Sequence, residues 1–194
     1  MFEQFTEEAR RVVTESVGHC RRAGEPSVTE EHLLLALLDQ RGSRASFAFA
    51  ALGVADRRAS VESALGDARR RGGLSRSETE ALAGLGIDVD RVVATAEAAH
   101  GRAALAPAGF VRRRLLRDHR PFSPAAKGAL TKSLRIAVGR GDRRIGGEHV
   151  LLALTAGHGV VAEVLADHGA TYATVERAMF GEDGGAGGNL RRTA

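Results

Sequence analysis

Hydrophobic residues in the first third of the chain recur at the spacing of α-helices. Apolar positions of the first predicted helix are three or four residues apart: Ala9, Val12, Val13, Val17 and Cys20. Residues 33–38 are apolar all round, which is typical of a buried central helix. A third helix should pass through Phe47 and Phe49 to Gly53, and a fourth should run from Asp56 to near Leu65. The pattern predicts a four-helix unit.

The same pattern returns 117 residues later, in the second half of the chain. Residues 5–10 align with 122–127, Gly24 aligns with Gly141, and residues 31–37 align with 148–154. A slip of one residue then brings Gly53 onto Gly169. Because these blocks keep their order and register, the sequence indicates two copies of one unit. The second copy should have helices at 123–138, 147–156, 160–168 and 171–180.

Two further segments complete the predicted organisation, which is all-α. The first repeat should occupy residues 1–66 and the second repeat residues 121–180. Between them, 67–120 should form a helical insertion and a basic linker, with helices at 77–85 and 90–100. Glycine pairs in 181–194 predict a disordered tail.

Composition excludes several classes of protein. Hydrophobic residues make up 43% and charged residues 27% of the chain, which is typical of a globular protein rather than a disordered one. No run of eighteen apolar residues exists, so no transmembrane helix is expected. The acidic start does not resemble a secretory signal, and we expect a cytoplasmic protein. One cysteine excludes an internal disulfide framework.

The basic character of the chain suggests one alternative function. The net charge is +4, and arginines cluster in residues 112–120. Such a run could contact phosphates in a basic, nucleic-acid-associated regulator. A solvated linker is the favoured interpretation, because the run lacks the interleaved aromatic residues that a single-strand binder would use for stacking.

Catalytic motifs are missing from the sequence. It contains no phosphate-binding loop of the G-x-x-x-x-G-K-[ST] type, no G-x-S-x-G and no H-E-x-x-H. Cys20 lies on an apolar helical stripe, so a small core residue is favoured over a nucleophile. His32 and His149 begin the two apolar helices, and a packing role is favoured over metal ligation. We therefore expect no enzyme, no metal and no cofactor.

Four polar residues at helix starts are the best candidates for a binding site. Glu31 and Glu148 could each hold a guanidinium group through two parallel hydrogen bonds. Thr6 and Ser123 are natural N-caps, and the helix ends that they cap could hold an anion. The alternative for the glutamates is first-turn charge that merely suits the helix dipole. Residue types alone leave both interpretations open.

These residues, in this order, resemble the double Clp-N repeat that forms the N-terminal domain of ClpC-type AAA+ unfoldases. The matching segments are Phe5-Thr6-Glu7-Glu8-Ala9, residues 31–37, and the corresponding segments that begin at Phe122 and Glu148. The resemblance implies two four-helix repeats related by pseudo-twofold symmetry. It also implies a domain that docks adaptor proteins and substrates and, in the ClpC branch, binds phosphoarginine.

The resemblance assigns roles to the four candidates. Glu31 and Glu148 should take the guanidinium side of phosphoarginine, with Thr6 and Ser123 at the phosphate side. The family commonly has Thr before each glutamate, but here the positions are Glu30 and Gly147. Because Glu30 adds negative charge near the expected phosphate, we expect the second site to bind more strongly.

The functional expectation is a non-enzymatic binding module. It should recognise Clp adaptors or substrates, including phosphoarginine-marked proteins, as an accessory or decoy in Clp-linked proteolysis. The chain ends shortly after the second repeat, so we expect a free-standing module without an ATPase. A bacterial source, a monomer and no membrane partner complete the expectation.

Overall fold

The computed structural model describes residues 4–101, 104–105 and 120–181. This part of the chain contains ten α-helices and no strand beyond two isolated bridges. The helices are α1 (Glu7–Arg22), α2 (Glu30–Asp39), α3 (Arg44–Ala51), α4 (Arg58–Arg70), α5 (Arg76–Gly84), α6 (Val89–His100), α7 (Pro124–Arg140), α8 (Gly147–Thr155), α9 (Val160–Asp167) and α10 (Tyr172–Phe180). The all-α prediction is confirmed.

The two repeats are interleaved rather than placed side by side. Helices α1–α4 form the first repeat and α7–α10 the second, with α1 packed on α2 and α7 packed on α8. The fourth helices cross over, since α4 packs against α9 and α10 packs against α3. The fourth helix of each repeat therefore packs against the third helix of the other repeat, and the two repeats fold as one unit.

The larger of two hydrophobic clusters in the described residues joins the repeats around α2 and α8. These two helices contact each other, and their leucines are buried together with Phe49, Leu65 and Leu165. The buried leucines of the two central helices are Leu33, Leu34, Leu37, Leu151, Leu152 and Leu154. An all-round apolar helix can be buried only from several sides, which is why both lie at the centre.

Backbone hydrogen bonds tie the start of each repeat to the other repeat. The N–H of Thr6 donates to the carbonyl of Ile145 at 2.9 Å, and the N–H of Ser123 donates to the carbonyl of Val28 at 2.8 Å. In the repeat alignment Thr6 corresponds to Ser123 and Val28 corresponds to Ile145, so the two bonds are equivalent. Each first helix thus begins beside the second helix of the opposite repeat.

Helix α4 is longer than the sequence pattern predicted. Its buried face continues from Leu65 to Ala68, and the helix reaches Arg70 before Gly72 and Gly73 turn the chain with positive φ. The boundary expected at residue 66 therefore lies within a helix. This extension brings the last turn of α4 to the edge of α2.

Helices α5 and α6 lie where the sequence predicted helices and are attached largely by polar contacts. Glu163 of α9 accepts the backbone N–H of Arg76 at 2.7 Å and the hydroxyl of Ser77, so it caps the start of α5. Arg70 of α4 bonds Glu97 of α6 at 2.9 Å. Helix α5 has no buried residue, which explains its dependence on these contacts.

Two sequence predictions lie outside the described residues. They are the glycine-rich tail from 182 onward and nearly all of the basic linker, of which the structure describes only Arg120 near the second repeat. Within the described residues, no single helix is long and apolar enough to cross a membrane. Helices α8 and α9 pass that test only as a pair, and they are bent by 95° at their break.

Candidate binding clefts between the repeats

The structure brings the four candidate residues together as two pairs, each drawn from both repeats. Ser123 at the start of α7 and Glu31 at the start of α2 line one cavity, which we call cleft A. Thr6 at the start of α1 lies beside the loop that leads to α8, and Glu8 of α1 is close enough to Glu148 for their charges to interact; we call this corresponding region between the repeats cleft B. The hydroxyl of each cleft therefore belongs to one repeat and the carboxylate to the other.

Both hydroxyl residues cap their helices with the same geometry. Oγ1 of Thr6 accepts the N–H of Ala9 at 3.1 Å, and Oγ of Ser123 accepts the N–H of Ala126 at 3.1 Å. The remaining first-turn N–H groups make each helix end favourable to negative charge. Pro124 supplies no N–H, so α7 offers fewer donors than α1.

Cleft A is strongly acidic. Its cavity has a volume of about 310 Å³, and Arg69 is the one arginine among the described residues that line it. The four glutamates that line it are Glu25, Glu30, Glu31 and Glu78. Burial raises the pKa of Glu30, an effect that the charge of Lys132 partly opposes. Such a lining favours a cationic group over an anionic one.

Arg69 from the last turn of α4 places its guanidinium against the carboxylate of Glu31 in cleft A. Its Nη2 lies 3.1 Å from Oε1 of Glu31, and its Nη1 lies 3.8 Å from Oε1 of Glu25. The Glu31 side chain is only 13% exposed. Burial raises the pKa of Glu31, Arg69 lowers it, and Glu25 raises it again. Arg69 was not among the predicted site residues because the sequence pattern placed the end of the helix near Leu65, although Ala68 continues the apolar spacing.

Cleft B carries a pair of carboxylates. A Cβ added at Gly147 would lie 2.5 Å from Oε1 of Glu8, so the Glu8 carboxylate fills the space that a side chain at residue 147 would need. That oxygen is buried without a hydrogen-bond partner among the described residues. Burial raises the pKa of Glu8, and the nearby Glu148 raises it further, while a hydrogen bond with Ser43 and the charges of Arg11 and Arg44 lower it. Cleft B therefore also favours a cation.

The additional glutamates are arranged reciprocally. In cleft A the extra carboxylate is Glu30 on the second helix, and the matching first-helix position is Ala125. In cleft B it is Glu8 on the first helix, and the matching second-helix position is Gly147. The expectation that the second site binds more strongly rested on the charge of Glu30, but Glu8 supplies a further carboxylate near Glu148 as well. The relative strength of the two sites stays a prediction. Alignment of the repeats shows which of the matched positions carry a glutamate. The structure adds that each cleft combines the first helix of one repeat with the second helix of the other.

The two histidines have the same structural task. Nδ1 of His32 accepts the N–H of Thr29 at 3.0 Å, and Nδ1 of His149 accepts the N–H of Gly146 at 3.0 Å. Nε2 of His149 then reaches Oδ2 of Asp142 at 3.0 Å. Burial, followed by the charges of His19 and Arg69, lowers the pKa of His32 to about 4. Each imidazole therefore fixes the start of a central helix.

Cys20 is a core residue, as its position on an apolar helical stripe predicted. Cys20 is fully buried, its thiol donates to the carbonyl of Glu25 at 3.3 Å, and burial raises its pKa. A raised pKa disfavours the reactive thiolate. Across residues 4–101, 104–105 and 120–181, no cluster of three histidine, cysteine or acidic side chains could hold a metal ion.

Comparisons with known proteins agree with this architecture. The family model of the Clp repeat (R) N-terminal domain matches residues 4–104 and 121–183. The chain is 31% identical over 203 residues to the chloroplastic chaperone protein ClpC2 of Arabidopsis thaliana, covering 98% of this chain and 17% of the relative. It is 31% identical over 166 residues to an ATP-dependent Clp protease ATP-binding subunit ClpA homolog of Guillardia theta, covering 85% and 15%.

A solved structure shows the same fold. The N-terminal domain of the caseinolytic protease associated chaperone ClpD from Arabidopsis thaliana matches with a TM-score of 0.51 and 18% identity, covering 92% of this chain and 94% of that one. The curated relatives are each far longer than the part that this chain matches, and they include chloroplastic proteins, which do not support the bacterial source expected from the sequence. The chain belongs to the Clp repeat (R) N-terminal domain family.

Proposed function

We propose that this chain is a non-enzymatic binding module that docks adaptor or substrate proteins of Clp ATPases through clefts A and B. In each cleft a glutamate, Glu31 or Glu148, receives the guanidinium of a partner arginine. The observation that carries the proposal is the contact between Arg69 and Glu31 at 3.1 Å, in which an arginine already sits in cleft A. Membership of the Clp N-terminal family supports the choice of partner class.

Charge in the clefts supports arginine as the ligand. Glu25 accompanies Glu31 in cleft A, and Glu8 accompanies Glu148 in cleft B. Two neighbouring carboxylates disfavour each other's ionisation, and a cation between them relieves that repulsion. A guanidinium is preferred over an ammonium, since its planar fork can bond both carboxylates at once.

Phosphoarginine is the second candidate ligand. The observation that favours it is the position of the capped helix starts at Thr6 and Ser123 beside glutamates of the other repeat, because N–H groups suit the phosphate and a carboxylate suits the guanidinium. Glu8 and Glu30 oppose the phosphate by like-charge repulsion. We therefore expect unmodified arginine to bind more tightly than its phosphorylated form. The nucleic-acid alternative gains no described contact, since residues 112–119 lie outside the described part.

Titration calorimetry tests the proposal with an acetylated, amidated Gly-Gly-Arg-Gly-Gly peptide, its phosphoarginine form and its lysine form. We expect the arginine peptide to bind, with affinity reduced at least tenfold in Glu148→Gln, because a charged hydrogen bond contributes about 1.5–3 kcal/mol. Glu80→Gln changes an exposed carboxylate outside both clefts and should have no effect. Binding that Glu148→Gln leaves unchanged, or no binding of any peptide, would refute the proposal.

Thr6→Ala separates the two ligands. If the start of α1 holds a phosphate, the substitution should reduce the affinity for the phosphoarginine peptide more than the affinity for the arginine peptide. If it does not, both affinities should change little and by the same amount.

The accessory role is tested by adding the chain to a reconstituted Clp degradation reaction. Delivery of a partner raises the degradation rate, whereas sequestration lowers it.

A further inference from the structure

Arg69 is placed in cleft A by the way α4 ends. The helix buries Leu65 and Ala68 against the core, so the next residue points to the edge of α2. Gly72 and Gly73 then stop the helix, with the N–H of Gly73 donating to the carbonyl of Ala68 at 2.9 Å. These contacts fix the last turn, and the long Arg69 side chain reaches the carboxylates from a rigid base.

The contacts that Arg69 makes in cleft A leave part of its guanidinium group without a partner among the described residues. One nitrogen is within hydrogen-bond distance of Glu31, the approach to Glu25 is 3.8 Å, and Nε is buried without a hydrogen-bond partner among the described residues. The side chain is 42% exposed. Ion pairs with this exposure are weak, so an external guanidinium could displace Arg69.

Cleft B has no such occupant in the described part of the chain. Among the described residues, no lysine or arginine nitrogen lies within 4.0 Å of the Glu148 carboxylate; the Nδ1 of His149, at 3.8 Å, accepts the N–H of Gly146 and carries no proton towards it. Helix α10 has nine residues against thirteen in α4, so it ends a turn earlier. The repeat alignment places the counterpart of Arg69 at Gly185, which has no side chain. The asymmetry follows from the different lengths of the fourth helices.

We propose that Arg69 is a built-in pseudo-ligand that closes cleft A. The module then presents one open arginine site, cleft B, and cleft A opens only when Arg69 leaves. This inference rests on the proposed function, since it assigns the regulation of the same clefts. An ordinary surface ion pair would hold α4 against α2 without changing how many ligands bind, so stoichiometry separates the two roles.

The test is calorimetric titration of the full chain with the Gly-Gly-Arg-Gly-Gly peptide. Wild type should bind one peptide, and Arg69→Ala should bind two. Adding Glu31→Gln to Arg69→Ala should return the number to one. Arg70→Ala is the matched control, because Arg70 lies next on the same helix but bonds Glu97 outside cleft A, and it should keep one site.

Each other outcome is decisive. Two sites in wild type, or one site in Arg69→Ala, would overturn the inference while leaving the proposed function standing. No binding by any variant would refute the proposed function itself. Arg69→Gln serves if the alanine variant does not fold. In either variant, the pKa of Glu31 measured by NMR should rise, because the arginine that lowers it is gone; an unchanged pKa would refute the contact directly.

Discussion

Gly147 of the second repeat and Glu8 of the first fit together across the boundary between the repeats. A Cβ at residue 147 would lie 2.5 Å from Oε1 of Glu8, closer than two such atoms can approach. The opposite cleft has the reverse arrangement, with Glu30 on the second helix and Ala125 on the first. At these matched positions each cleft therefore has one glutamate, supplied by a different helix in each case.

Gly147→Ala should move the Glu8 carboxylate without unfolding the protein. The clashing atom is the end of a flexible side chain, and alanine is favoured over glycine in a helix by about 0.5–1 kcal/mol, so we expect little net change in the free energy of unfolding. The displaced carboxylate should become more solvated and lie farther from Glu148. NMR titration should then show a lower pKa for Glu8 than in wild type.

The double variant Glu8→Ala, Gly147→Glu gives cleft B the arrangement of cleft A and provides the control. It should fold with nearly wild-type stability, because the new side chain at 147 enters the space that Glu8 vacates. Gly147→Glu alone should be clearly less stable. If the two changes prove additive in a double-mutant cycle, the packing relationship between these residues is wrong.

His32 should make stability depend on pH in the mildly acidic range. Its pKa in the fold is about 4, against an ordinary value near 6.5, so the unfolded chain binds a proton that the folded protein does not. The resulting stability is present above pH 6.5 and is lost as the pH falls towards 4. Urea denaturation should show a loss of about 2 kcal/mol between pH 7 and pH 5 from this group.

His32→Asn keeps a side-chain acceptor for the N–H of Thr29 but cannot titrate, so it isolates the effect. Its unfolding free energy should fall less than that of wild type between the two pH values, whatever its absolute stability. Equal pH slopes in the two proteins would show that His32 is not held neutral.

Arginine binding should weaken on acidification earlier than ordinary carboxylates would allow. Glu8 in cleft B and Glu31 in cleft A have raised pKa values, so protons compete with a cation as the pH approaches that range from above. Calorimetry in two buffers with different ionisation heats should detect proton release on binding, and release should grow as the pH falls from 7.5 to 5.5. Affinity that is constant over this interval would contradict the role of these carboxylates.

The hydrophobic pattern predicted most of the fold because it reports burial directly. The apolar runs that begin at Leu33 and Val150 are the two central helices, and the caps at Thr6 and Ser123 begin α1 and α7 as expected. The repeat register also predicted which residues correspond. Local spacing reaches about one helix, so it could not show that the fourth helices cross between repeats.

The clefts were less accessible to sequence reasoning for the same reason. Glu31 and Ser123 are 92 positions apart, and only tertiary structure shows that they share a cavity. Arg69 reaches Glu31 through an extra turn of α4, which depends on the burial of Ala68 against the core. The charge of cleft A depends on residues from several helices and loops, so no single sequence motif predicts it.

The most direct test of the account is an NMR titration of the labelled chain with the Gly-Gly-Arg-Gly-Gly peptide. A guanidinium bound in cleft B should shift the backbone amides of residues 6–9 and 146–149 together, although these segments belong to different repeats. Shifts confined to one repeat, or centred on α5 and α6, would contradict the claim that the binding clefts are built from both repeats.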